Sequence, residues 1–187
     1  MHHHESIKDR ADEFIDSLPC RAQEPYPSAE IPTKNEEIAN MLLSAFADGG
    51  NAELTAITQY QNHSDTISEK ELSDMIFCIS LVEMRHLDLV GTMIESLGGD
   101  LRYWRPNHAY WSGGEVDYGK STCEKISLDI KEEQEALSGY EELLRSICRI
   151  DGPGAEQVIR VIRRIMEDEM FHLELFNNAY RKYCCHE

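Results

Sequence analysis

The chain has 187 residues, enough for one domain with a single sizeable core. Its 35 Asp and Glu against 18 Lys and Arg give a formal net charge of −17, which excludes nucleic acid as a partner, since phosphate binding needs a basic surface. No apolar run approaches the length of a membrane span and the N-terminus lacks the apolar stretch of a secretory signal, so a soluble, cytoplasmic protein with no membrane partner is expected.

Residues 1–34 read as an N-terminal arm. His2, His3 and His4 stand outside every pattern that follows. Ile7, Ala11, Phe14, Ile15 and Leu18 recur at helical spacing and predict a short amphipathic helix. Pro19, Pro25, Pro27 and Pro32 then impose an extended course. Residues 35–187 read as one helical bundle. A first helix is predicted from about Asn35 to His63, with a kink or break at Gly49-Gly50. A second begins with the capping-box pattern Ser68 to Glu71 and ends at Gly98-Gly99. A segment rich in Gly and aromatic residues follows, to about Lys120. A third helix spans about Ser121 to Arg149, Asp151 to Gly154 form a turn, and a fourth helix reaches about Tyr183. Short links make antiparallel neighbours and the long link must cross over. The fold class is therefore all-α: a four-helix bundle with a long crossover between helices two and three.

Six cysteines are present and none forms a C-x-x-C pair, which argues against a zinc ribbon or a rubredoxin-type iron site. They read as reduced thiols. Cys184 and Cys185, beside His186, are either a metal trap or part of a frayed helical end, the latter being expected.

The phrase EMRHLDL, Glu83 to Leu89, returns as EMFHLEL, Glu169 to Leu175. Upstream of each lies a second matched pair, ELTAITQY (Glu53 to Tyr60) and EQEALSGY (Glu133 to Tyr140). The chain thus reads as an internal duplication, each half offering one Glu on its first helix and Glu-x-x-His on its second. Position on the helix gives these residues their meaning. The second helix has the apolar stripe Ile76, Ile79, Glu83, His86, Val90, Met93, and the fourth has Ile162, Ile165, Glu169, His172, Phe176. Glu53 and Glu133 interrupt the stripes of the first and third helices in the same way. Glu132, Glu135, Glu167 and Glu174 fall off the stripes and are expected to face solvent.

Four carboxylates aimed into one core cannot remain ionised and unpaired. Two cations per chain resolve the conflict. Glu83 with His86, and Glu169 with His172, each offer one metal an oxygen and a nitrogen from one helical turn, and Glu53 and Glu133 close the cage, terminal or bridging. The ligand set suits iron or manganese better than zinc. Asp168 is placed to accept the outer ring N–H of His86, whereas the matching residue in the second helix is Val82. Tyr60 and Tyr140 are either core aromatics with a hydroxyl partner or redox-active neighbours of the metals. Arg85 and Phe171, inside the motifs, read as interface or surface choices. Aromatic residues of the crossover (Tyr103, Trp104, Tyr110, Trp111 and Tyr118) either line a substrate channel or fasten the crossover to the bundle, and fastening is expected.

In the order Glu53, Glu83-x-x-His86, Glu133, Glu169-x-x-His172, the chain resembles the ferritin-like superfamily over about residues 35–183, closest to rubrerythrin-type and bacterioferritin-related domains and more distantly manganese catalases. The resemblance implies a dinuclear iron or manganese centre reacting with hydrogen peroxide or dioxygen, a peroxidase- or catalase-like oxidoreductase. Typical rubrerythrins add a rubredoxin-like domain, absent from this sequence, so an external electron donor is implied, or a dismutation that needs none. They also carry an extra carboxylate one turn beyond the ligand of the third helix, where this chain has Ala136. A homodimer is the expected assembly. The rival reading is a non-enzymatic metal-binding, sequestration or structural protein on the same fold.

Overall fold

The computed structural model describes residues 6–49, 52–105, 107–150 and 152–185. Six α-helices account for the order along the chain: α1 (Ile7–Asp16), α2 (Glu36–Ala47), α3 (Glu53–Thr66), α4 (Lys70–Leu97), α5 (Thr122–Ile147) and α6 (Ala155–Cys184). Among the described residues the only strand-like pairing is a single bridge, Trp104 to Tyr110, inside the crossover. No helix among them is long and apolar enough to cross a membrane.

Local chemistry sets the helix ends. Ser6 and Asp9 form a reciprocal capping box on α1. Asn35 accepts the Ile38 N–H to start α2, and Ser121 accepts the Glu124 N–H to start α5. The predicted first helix is two helices. Gly49 adopts φ +85°, α2 stops before it, and α3 restarts on Glu53. The predicted capping box at Ser68 does not form. Ser68 donates instead to Glu69, and Glu71 is drawn 2.7 Å from Lys182 at the far end of α6. Gly98, at φ +93°, closes α4 in the left-handed conformation, with the Gly99 N–H returning to the Ile94 carbonyl.

The bundle pairs α3 with α4 and α5 with α6. It closes through α4 against α6 and α3 against α5, while α2 continues the line of α3 along α4 and α5. Two apolar clusters fill the interior. One gathers Leu42, Phe46, Met93, Leu97, Ile147 and Ile162. The other gathers Tyr60, Leu72, Ile76, Ile79, Ile126 and Phe176. The crossover is fastened to the outside: Tyr103 stacks on Phe46, and the Trp111 ring N–H donates to Thr55.

The arm packs onto the bundle. Ile15, Cys20, Ala29 and Ile31 are buried, but Ile7 and Phe14 are not, so the stripe of α1 is only partly used. Arg85 of α4 holds α1 through Asp12 at 2.9 Å. The expectation of reduced thiols is corrected. Cys20–Cys78 ties the arm to α4 and Cys123–Cys184 ties α5 to α6, with Cα separations of 6.1 and 5.6 Å that suit disulfides. Their partners are 58 and 61 residues away in sequence, beyond any local spacing rule. Cys184 is consequently a bonded residue at the end of α6 and not part of a frayed end; Cys148 and Cys185 are free and exposed. His186 lies outside the described residues.

The turn into α6 depends on Gly154, whose φ is +90° and whose missing Cβ would sit 2.9 Å from Ile31 of the arm. Gly154→Ala should lower the unfolding free energy in urea by at least about 1–2 kcal/mol, the cost of a left-handed alanine. An unchanged midpoint would show that the turn adapts freely.

Candidate metal centre

Between the two apolar clusters, the four legs bring six side chains together. Glu53 comes from α3, Glu83 and His86 from α4, Glu133 from α5, and Glu169 and His172 from α6. All are buried, none more than 4% exposed. The helical repeat explains the meeting, since Glu and His three residues apart lie on one face and both faces look inward. His86 Nδ1 lies 2.9 Å from Glu83 and 3.2 Å from Glu169. His172 Nδ1 lies 2.8 Å from Glu83 and 3.4 Å from Glu169. Two four-ligand groups result, Glu53, Glu83, His86, Glu169 and Glu83, Glu133, Glu169, His172, each with its donor atoms within 4.8 Å of one another. Glu83 and Glu169 are common to both. Glu53 and Glu133 each belong to one group only.

Electrostatics divides the four carboxylates. Burial, partly countered by His86, holds Glu53 well above the usual carboxylate range; burial, with the charges of Glu169 and Glu83, does the same to Glu133. Burial also pushes Glu83 and Glu169 upward, but His86 and His172 more than offset it and hold both low. Burial lowers His172, yet Glu83 and Glu169 raise it to about 9. Metal-free, the cluster thus needs protons to stay together. Glu83 Oε1 and His172 Nδ1 lie 2.8 Å apart without an aligned hydrogen bond, and neither of these buried atoms has a hydrogen-bond partner among the described residues. Such orphaned hard oxygen and imidazole nitrogen atoms fit a pair of iron or manganese ions.

Outside this ring, Tyr60 donates to Glu133 at 2.7 Å, and Tyr140 donates to Glu53, so each tyrosine serves the carboxylate of the opposite half. His86 Nε2 lies 3.0 Å from Asp168, as the sequence suggests. Three residues were not foreseen there: Tyr26 of the arm donates to Asp168, the Ala22 N–H donates to it at 2.7 Å, and Arg164 pairs with it at 3.0 Å. Arg164 was legible, four residues before Asp168 on one helical face. Tyr26, in a Pro-Tyr-Pro stretch, carries no periodic signal.

Glu132 also departs from expectation. It is 4% exposed, not solvent-facing, whereas Glu135, Glu167 and Glu174 are exposed. It borders a cavity of about 10 Å³, shared with Glu53, Glu83, Glu133, Glu169 and the small side chains of Ala52, Ala56 and Ala136. That is room for about one water-sized molecule. Ala136 also walls a groove of about 640 Å³ between α2 and α5, where Tyr140, Met41 and Leu143 meet the acidic residues Glu37, Asp48 and Glu142.

The fold and site define a class: a four-helix carboxylate–histidine bundle with duplicated Glu-x-x-His halves. No family model matches the chain. It is 28% identical over 129 residues to a bacterioferritin of Desulfovibrio desulfuricans, a match spanning 67% of this chain and 66% of that protein. Its fold superposes on KatB, a manganese catalase from Anabaena, with a TM-score of 0.76 at 22% identity, over 86% of this chain and 78% of that one. It superposes on the solved Desulfovibrio desulfuricans bacterioferritin, described with a diiron site in different catalytic states, with a TM-score of 0.64 at 25% identity, over 79% and 81%. The fold is that of the ferritin-like superfamily.

Burial, then the nearby charge of Glu135, raises the Glu132 carboxyl from 4.5 to about 9. Across that window the folded chain keeps a proton that the unfolded chain has released, so this group's contribution to stability is lost as pH rises. Glu132→Gln should therefore match wild type near pH 4.5 and be the more stable protein near pH 8, measured by urea denaturation of metal-free samples. Parallel pH profiles would mean that Glu132 ionises freely.

Proposed function

We propose that the protein holds two iron or manganese ions per chain and reduces or dismutates hydrogen peroxide, as a peroxidase- or catalase-like oxidoreductase. The observation that carries this reading is the pair of four-ligand groups sharing Glu83 and Glu169. Glu53 and His86 would complete one position, Glu133 and His172 the other, and four carboxylates balance two divalent cations. Two such ions supply between them the two electrons that convert hydrogen peroxide to two waters.

The chain's own residues prepare the site for that chemistry. The small cavity beside Glu53, Glu83, Glu133 and Glu169 has room for about one water-sized molecule, and the alanines around it leave that space open. Tyr60 and Tyr140 hold Glu133 and Glu53 by donating to one oxygen of each. Glu132, whose carboxyl burial pushes upward in the metal-free chain, stands at the cavity wall, where peroxide reduction takes up protons. The apolar clusters on both sides exclude bulk water. An external donor would return electrons in a peroxidase cycle. Exposed Phe77 and Met84, two turns apart on one face of α4, offer apolar surface for a homodimer. The bacterioferritin match favours a second reading, iron sequestration without turnover.

Protein reduced and loaded with Fe(II) or Mn(II) should approach two ions per chain by elemental analysis, and Glu133→Ala should hold fewer. In stopped flow it should consume peroxide with an optical change, faster than it responds to dioxygen. Loaded protein that stays silent with excess peroxide would leave only the sequestration reading. Metal at a hundredfold excess over its dissociation constant should add about 2.7 kcal/mol of stability. Chelated and loaded samples that melt together would remove the metal cage itself.

A further inference from the structure

The inner contacts of the centre are nearly two-fold symmetric. His86 Nδ1 lies 2.9, 3.2 and 3.6 Å from Glu83, Glu169 and Glu53. His172 Nδ1 lies 2.8, 3.4 and 3.6 Å from Glu83, Glu169 and Glu133. Glu53 and Glu133 are matched as well, each accepting one tyrosine hydroxyl.

Behind the two rings the symmetry ends. His86 Nε2 faces Asp168 at 3.0 Å and the Tyr26 hydroxyl at 3.4 Å, and Asp168 itself accepts from the Ala22 N–H and the Tyr26 hydroxyl and pairs in charge with Arg164. Tyr26 lies among three guanidinium groups, with Arg164, Arg21 and Arg85 at 4.5, 4.8 and 5.6 Å from its ring centroid. The arm carrying it is pinned by Arg164 to the carbonyls of Ala22 and Glu24 and by Cys20–Cys78 to α4. His172 Nε2, equally buried, has no hydrogen-bond partner among the described residues. Val82, which matches Asp168, is fully buried and offers no acceptor.

We propose that Tyr26, acting both directly and through Asp168, is a positioning residue for His86, and that it makes the Glu53–His86 position the tighter of two unequal metal positions. This rests on the dinuclear reading above. A ring whose outer N–H is bound to a carboxylate is fixed in tautomer and orientation and is the stronger donor at its inner nitrogen. A ring without that partner must be ordered by the metal itself. Losing such an outer partner costs roughly 10–100-fold in metal affinity, so the two positions should differ by about that factor.

Titration of the metal-free full chain with Mn(II) alone, by calorimetry, should resolve two steps of one ion each, separated by about 10–100-fold. At one equivalent, electron paramagnetic resonance should show mainly the six-line signal of isolated Mn(II). Asp168→Asn should weaken the first step about tenfold or more and leave the second unchanged. Tyr26→Phe, which removes one hydroxyl and keeps the ring among its arginines, should weaken the same step to a lesser degree, and guards against misfolding of the first variant. Two equal steps in wild type, or a loss shared equally by both steps in either variant, would overturn the inequality while leaving the dinuclear reading intact. Absence of Mn(II) binding, with Fe(II) binding also absent, would instead sink the dinuclear reading.

Discussion

Four carboxylates are confined to the middle of one apolar core, and the rest of the molecule is arranged around that confinement. Desolvating a carboxylate costs several kcal/mol, and four together repel one another. Glu53, Glu83, Glu133 and Glu169 persist there because each leg of the bundle supplies a counterweight: His86 and His172 within the ring, and Tyr60 and Tyr140 just outside it. The apolar clusters above and below then hold the legs in register despite the strain at the waist.

Much of this was legible in the sequence because it is periodic. The stripes through Glu83 and His86, and through Glu169 and His172, needed only the helical repeat, and the duplicated phrases identified Glu53 and Glu133 as their partners. Residues whose position depends on non-periodic or long-range contacts were not legible. Tyr26 reaches Asp168 across 142 positions from a proline-bound arm. The disulfide partners meet through the fold and not through spacing. Glu132 falls off the stripe of α5, yet it is enclosed beside Ala52, Ala56 and Tyr60, neighbours that the stripe of α5 alone does not reveal. Ser68 had the pattern of a cap, but Lys182, also unforeseeable by spacing, captured Glu71.

The duplication also separates what is shared from what was added. The ligands and their tyrosines are common to both halves. The arm is not, and of the two histidines it backs His86, reaching Asp168 and Arg164 from outside the repeat. A nearly symmetric cage thus carries a one-sided support, supplied by a segment that precedes the bundle in the chain.

That one-sided support leaves the centre with a back and a front. The arm backs His86, while the cavity beside the carboxylates and the groove between α2 and α5 have Ala136 as a common wall. Glu37, Asp48 and Glu142 stand along that groove. Three carboxylates along one wall give that groove a negative field, which favours cations over anions at its mouth.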